Sequence, residues 1–156
     1  MVSPTLTSAA LQTDNWQCDS LASNFVIKPA SECSVPGAEG LVAFAKDDEQ
    51  GKLPLFSFVP PTGGMFIWAR FYFSSFPGFK KLQEDAGCVD PEQKFEDELW
   101  AQLAKALVLL TPGSYYEPWQ GKHQTTTSTR GGEKGVGNFR LAYSMTTVSV
   151  RGVVFD

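Results

Sequence analysis

One arginine stands apart for the company it keeps. In Asn138-Phe139-Arg140-Leu141-Ala142-Tyr143-Ser144 a guanidinium is set among apolar and aromatic residues. A guanidinium forks two parallel hydrogen bonds onto a carboxylate, a geometry that an ammonium does not supply. Among apolar neighbours it is costly unless it finds a partner or reaches solvent. On these residues alone, a structural ion pair or an outward-facing strand position explains Arg140 more readily than a ligand grip. Little else in the chain offers chemistry. His123, the single histidine, lies in a Thr- and Gly-rich stretch with no cysteine nearby and reads as a solvated loop residue. Cys18, Cys33 and Cys88 are odd in number and far apart, which predicts reduced thiols in a cytoplasmic protein rather than disulfides or a zinc site. Glu96-Asp97-Glu98 has helical spacing, so its carboxylates are expected to point apart on a solvated face and hold no metal. Gly-x-Ser-x-Gly and P-loop patterns are absent, and a lone histidine leaves little room for a Ser-His-Asp arrangement. Gly131, Gly132, Gly135 and Gly137 sit in a polar loop, not after a buried strand, which rejects a dinucleotide fingerprint. No residue is assigned a catalytic role.

The elements that must position Arg140 follow from local pattern. Residues 1–24 read as a weakly ordered arm, and residues 25–156 as one domain. Short apolar runs predict strands at Phe25–Ile27, ended by Pro29, and at Leu41–Phe44. Leu55–Val59 leads through Pro60-Pro61-Thr62-Gly63-Gly64 into Met65–Tyr72, whose large residues on both parities predict a strand covered on both faces. Residues 74–90 read as a loop. Asp90 then caps a helix with Pro91 in its first turn and Gln93 where a capping box places Glu or Gln. Phe95, Leu99, Leu103 and Leu107 line one face of that helix, while Glu92 and Glu96 fall elsewhere. Val108–Leu110 reads as a strand, a long mobile loop fills about 117–138, and strands at Phe139–Ser144 and Val148–Phe155 close the chain. The sum is an α+β domain, a small, mostly antiparallel sheet covered by helices.

Totals narrow the function classes. The chain has 156 residues, enough for one domain, and its 42% hydrophobic content is enough for a core. A net charge of -4 with scattered Lys and Arg argues against nucleic acid as a partner. No apolar run approaches the roughly 18 to 20 residues that span a bilayer, and residues 1–5 do not open a signal peptide, so no membrane role is expected.

Three segments in order carry a resemblance. Phe56-Ser57-Phe58-Val59-Pro60-Pro61-Thr62-Gly63-Gly64-Met65-Phe66-Ile67-Trp68 resembles the P-x-x-G-G-M-F-x-W strand entry of class I aminotransferases. Leu107–Tyr116 is similar to the G-V-x-x-x-P-G-x-x-F strand and turn, with Leu107 in place of the usual glycine. Asn138–Ser144 resembles x-x-F-R-L-x-F-S. Over roughly residues 41 to 147 the chain looks like the C-terminal small domain of fold-type-I, pyridoxal-phosphate-dependent aminotransferases, closest to fungal aromatic amino acid and 2-aminoadipate aminotransferases. The resemblance implies that Arg140 grips a substrate α-carboxylate, with Gly63, Gly64, Phe66, Tyr115 and Tyr143 as pocket lining.

The departures set the functional expectation. The family anchors its cofactor on a lysine in a Ser-x-Ser-Lys-type segment of the large domain, and no lysine here has that context. Val148–Phe155 lacks helical period where the family has a final amphipathic helix. Whether the chain is an enzyme is therefore open, and it holds no pyridoxal phosphate by itself. It is expected to bind a small carboxylate, such as an amino or keto acid, and to act beside a large-domain partner. The alternatives are a repurposed, cofactor-independent enzyme or binder of fungal secondary metabolism, and a non-catalytic interaction domain. Exposed apolar area, expected around Phe71-Tyr72-Phe73 and Phe76 and at Val153–Phe155, would favour such a partner or a homo-oligomer. Borohydride reduction after incubation with pyridoxal phosphate should label no single lysine stoichiometrically. Peptide mapping that finds one such lysine contradicts this expectation.

Overall fold

The computed structural model describes residues 25–48, 52–118 and 121–142. These form an α+β domain with strands β1 (Phe25–Pro29), β2 (Leu41–Ala45), β3 (Pro54–Phe58), β4 (Phe66–Tyr72), β5 (Leu110–Pro112) and β6 (Val136–Ala142). Two helices, α1 (Pro77–Glu84) and α2 (Pro91–Lys105), lie between β4 and β5. All paired strands are antiparallel, in the order β1-β2-β3-β4-β6-β5. Because β4 and β5 are each antiparallel to β6, they run parallel to one another. Parallel strands need a crossover, which the helices supply, and β6 fills the gap left between them. Among the described residues, no helix is long and apolar enough to cross a membrane.

Side-chain alternation divides the sheet into two faces. Ile67 and Ala69 of β4, Phe139 and Leu141 of β6, Leu110 of β5 and Phe58 of β3 turn toward the helices and form the core. Phe79 of α1 and Phe95 of α2 meet Phe73 there, with ring centroids 4.8 to 5.7 Å apart. Such tilted and edge-on pairs add to the area they bury. Phe66, Trp68, Arg70 and Tyr72 of β4 alternate with the core residues and belong to the opposite face, as does Arg140 of β6.

The N-terminal turn of α2 organises the chain that leads into β6. Asp90 caps the helix by accepting from Gln93 N at 3.1 Å, and its other oxygen accepts from Thr127 N and Oγ1. Glu92 accepts from Gly135 N at 3.0 Å. Arg130 joins the same region, bonding Glu117 at 2.7 Å, Thr125 O and Gln93. The polar loop of the sequence is thus pinned at several points before β6 begins.

Several expectations change. Residues 74–90 are not all loop, because α1 folds there, with Pro77 in its first turn and Phe79 fully buried. So short a helix shows few apolar repeats, and its inward Phe79 and Leu82 are too few to mark a period. β4 is not covered on both faces along its length, since Phe66 and Trp68 stay exposed. Gln93 does not complete a capping box; its side chain serves Asp97 and Arg130 instead. Glu92 and Glu96 are buried, because main-chain N–H groups satisfy both. Phe73 and Tyr72 are buried too, which removes much of the apolar area expected there. The strand after α2 is displaced two residues from the expected Val108–Leu110 and spans Leu110–Pro112. The arm at 1–24, Tyr143 and the strand expected at Val148–Phe155 lie outside the described residues.

Leu107 leaves the helix face altogether. It has φ 62 and is 80% exposed. Val108 N donates to Leu103 O at 2.8 Å and Leu107 N to Ala104 O at 3.0 Å, the bonding of a Schellman stop. Val108 and Leu103 both pack against the core, the apolar contact that accompanies this motif. Its left-handed position suits glycine, and a leucine there loses about 1 kcal/mol with no burial in return. Leu107→Gly should therefore raise stability by about 1 kcal/mol in denaturant unfolding. A loss of stability would mean that the leucine side chain contributes packing.

Candidate functional site

Strand pairing decides which residues surround Arg140. Arg140 pairs with Trp68 on one side and with Thr111 on the other. Phe66, two residues before Trp68, shares its face, and its ring lies 4.3 Å from Arg140 Cζ. The guanidinium also lies over the Tyr116 ring, at 4.2 Å. Trp68 meets Tyr116 edge-on at 5.5 Å. Rings attract the cation through their negative faces and hold its plane, yet they take up none of its N–H donors. Among the described residues, no carboxylate pairs with Arg140. The site is a clamped, partly exposed guanidinium with hydrogen-bonding capacity left over.

Helix α2 sets the position of Tyr116. Trp100 Nε1 donates to Leu110 O at 2.8 Å, which ties β5 to the helix. Glu96 Oε1 accepts from Ser114 N at 3.4 Å, within the 3-10 turn Gly113–Tyr116. Gly113 lets this turn close onto β6, since a Cβ there would stand 2.8 Å from Asn138 O. Helix, turn and strand together therefore place the Tyr116 ring over Arg140.

The residues assigned from the resemblance are only partly brought together. Phe66 joins Arg140 directly. Gly63 and Gly64 form the exposed bend entering β4, with open space around both, and give the cluster no side chain. Tyr115 turns the other way and packs on Trp100 at 5.6 Å. Tyr143 lies outside the described residues. Tyr116 and Trp68 were missed as site residues. Trp68 was legible from alternation, being two residues from Phe66 and therefore on its face. Tyr116 was not, because a 3-10 turn has no such period to follow. No protein-family model, no curated protein and no solved structure matches the chain.

The chemistry of the cluster limits what it can hold. Arg140, Phe66, Trp68, Tyr116 and Thr111 include no amine, so these residues cannot form the Schiff base by which the resembled family carries pyridoxal phosphate. They do not fit that cofactor as its anchoring site. Among the described residues, no group of His, Cys, Asp and Glu could hold a metal ion. Asp97 and Glu98 are exposed as expected, whereas Glu96 is buried.

Burial pushes the Glu96 carboxyl from its ordinary 4.5 to about 6, and the donation from Ser114 opposes this only in part. Between those values the folded chain keeps a proton that the unfolded chain has released. Stability therefore falls as pH rises from about 4.5 to about 6 and stays lower above it. Glu96→Gln should abolish that slope and raise stability at pH 7 by on the order of 1 kcal/mol, since solvent screens part of the effect. Unfolding curves across this range check the sign. A stability that rises with pH in both proteins contradicts it.

Proposed function

We propose that this chain is an aminotransferase-like small domain that grips the carboxylate of an amino or keto acid through Arg140. In this reading it acts beside a pyridoxal-phosphate-binding large domain, in the cytoplasm, and does not act alone. The observation that supports it is the guanidinium lying over two rings, 4.3 Å from that of Phe66 and 4.2 Å from that of Tyr116, with no carboxylate of the described residues against it. Two rings restrict where the guanidinium can sit, and its N–H groups are the part that a carboxylate recognises. Exposure of Trp68 (49%) and Met65 (59%) beside this site also suits a second protein body placed over it. That exposure favours a second reading as well, a non-catalytic interaction domain that uses the same aromatic surface.

Titration of the full chain with aromatic amino and keto acids tests the carboxylate reading. A charge-assisted hydrogen bond contributes about 1.5 to 3 kcal/mol, so Arg140→Ala should weaken binding at least tenfold. Arg140→Lys should recover little, because an ammonium lacks the planar fork. Tyr116→Leu should weaken binding less, by a few-fold, through loss of one ring from the clamp. Unchanged affinity with a lowered melting temperature in Arg140→Ala would assign the arginine to the fold and favour the interaction domain.

A further inference from the structure

A second arginine occupies the same sheet face, at the other end of β4. Arg70 pairs across β4 and β6 with Asn138, two residues from Arg140, so the two arginines are diagonal neighbours. They lean apart. Arg140 lies over Phe66, whereas Arg70 lies over Tyr72, with Cζ 5.8 Å from that ring. Arg70 borders a cleft of about 700 Å³, within the roughly 300 to 1,000 Å³ of small-molecule sites. The cleft is separate from the Arg140 cluster and shares none of its residues.

Its charge opposes that of the whole chain. Lys28, Lys52, Lys134 and Arg70 line it against Glu32 and Glu133, a balance of +2 in a chain of net charge -4. The remaining wall is largely apolar, including Phe44, Val35, Leu53 and Val136. Arg70 is built into this wall. Gly37, at φ 68, leaves room that a Cβ would take, 2.6 Å from Arg70 Nη2. Tyr72, beneath the guanidinium, is fixed by a 2.8 Å hydrogen bond to Ser57 Oγ.

One edge of the Arg70 fork is half used. Nη2 donates to Glu133 Oε1 at 2.6 Å, whereas Nε is buried and has no hydrogen-bond partner among the described residues. Nε and Nη2 form the edge that a carboxylate or phosphate fills with two parallel bonds. Leaving a buried donor unmade is costly, so the present pairing is a poor use of this edge. Glu133 side-chain exposure is 57%, and an exposed carboxylate gains little from such a pair. A ligand oxyanion that displaces it can satisfy both donors at once.

We propose that this cleft binds a small organic phosphate monoester, with its dianionic head on Arg70 in place of Glu133 and its carbon body against Phe44 and Leu53. The lining charge of +2 matches a dianion, and the apolar wall extends well beyond the space that a bare phosphate fills.

Calorimetric titration of the full chain at pH 7.5 and low salt tests this with three probes. Butyl phosphate should bind one site at least tenfold more tightly than inorganic phosphate, which lacks the body, or pentanoate, which lacks the second charge. Glu133→Gln should tighten butyl phosphate binding severalfold by freeing the edge. Arg70→Lys should weaken it tenfold or more, and Lys134→Ala, at an exposed position, should weaken it severalfold without disturbing the fold. Arg140→Ala should leave it within threefold, so failure here is distinct from failure of the carboxylate reading. The proposal is overturned if neither the native chain nor Glu133→Gln binds butyl phosphate saturably. It is equally overturned if, in Arg140→Ala, where the carboxylate site is removed, pentanoate or inorganic phosphate binds as tightly as butyl phosphate, or if folded Lys134→Ala binds butyl phosphate as the native chain does.

Discussion

Seven consecutive residue pairs join β4 to β6, from Phe66 opposite Ala142 to Tyr72 opposite Val136. Both the core and the exposed face depend on the parity of this pairing. One parity sends Ile67, Ala69, Phe139 and Leu141 toward the helices, and the other sends Phe66, Trp68, Arg70 and Arg140 away from them. A slip of one residue would exchange the two sets, burying arginines and exposing residues such as Phe139 and Leu141. The cost of that exchange specifies the register strongly. It also fixes Arg140 beside Trp68.

The face left by the helices has two different environments. Near Phe66 the surface is aromatic and exposed, and it surrounds one guanidinium. Toward Tyr72 it is covered by the chain around residues 32–36 and 133–136, which leaves a basic cleft. Two cations as close as diagonal neighbours repel one another. Their opposite lean lowers that repulsion, and each is further stabilised by a ring. Glu133 offsets part of the charge of Arg70. Burial acts to lower the pKa of Arg70, and Glu133 together with Tyr72 more than compensates, so it is raised.

Helix α2 links the core to both environments through groups that its sequence marks as polar. Glu92 holds Gly135 at the rim of the cleft, and Glu96 holds the turn that carries Tyr116. A buried carboxylate is tolerable when main-chain donors satisfy it, and here each donor comes from a segment distant in sequence. The helix thus acts as a template for the loop and the turn.

Most of the strands were legible in the sequence, because apolar runs between Pro and Gly mark them directly. The cap at Asp90 was legible for the same local reason: a short acceptor reaches its own third residue. Arg140 could be singled out by its neighbours and by the resemblance of the segments around it. Its surroundings could not, since Tyr116 arrives from 24 positions away through β5 and a turn. The burial of Glu92 and Glu96 was equally hidden, because helical period sorts residues by polarity and knows nothing of distant N–H groups. Leu107 extends the apolar stripe of α2 on paper, but the chain turns left-handed at that residue and its side chain faces solvent. What the sequence determined by itself was local: propensity, capping and alternation, each acting over a few residues. Only the tertiary structure decided which face of β4 stays open, which carboxylates are buried, and what lies against each arginine. Those outcomes depend on contacts between segments far apart in the chain, which no short-range pattern encodes.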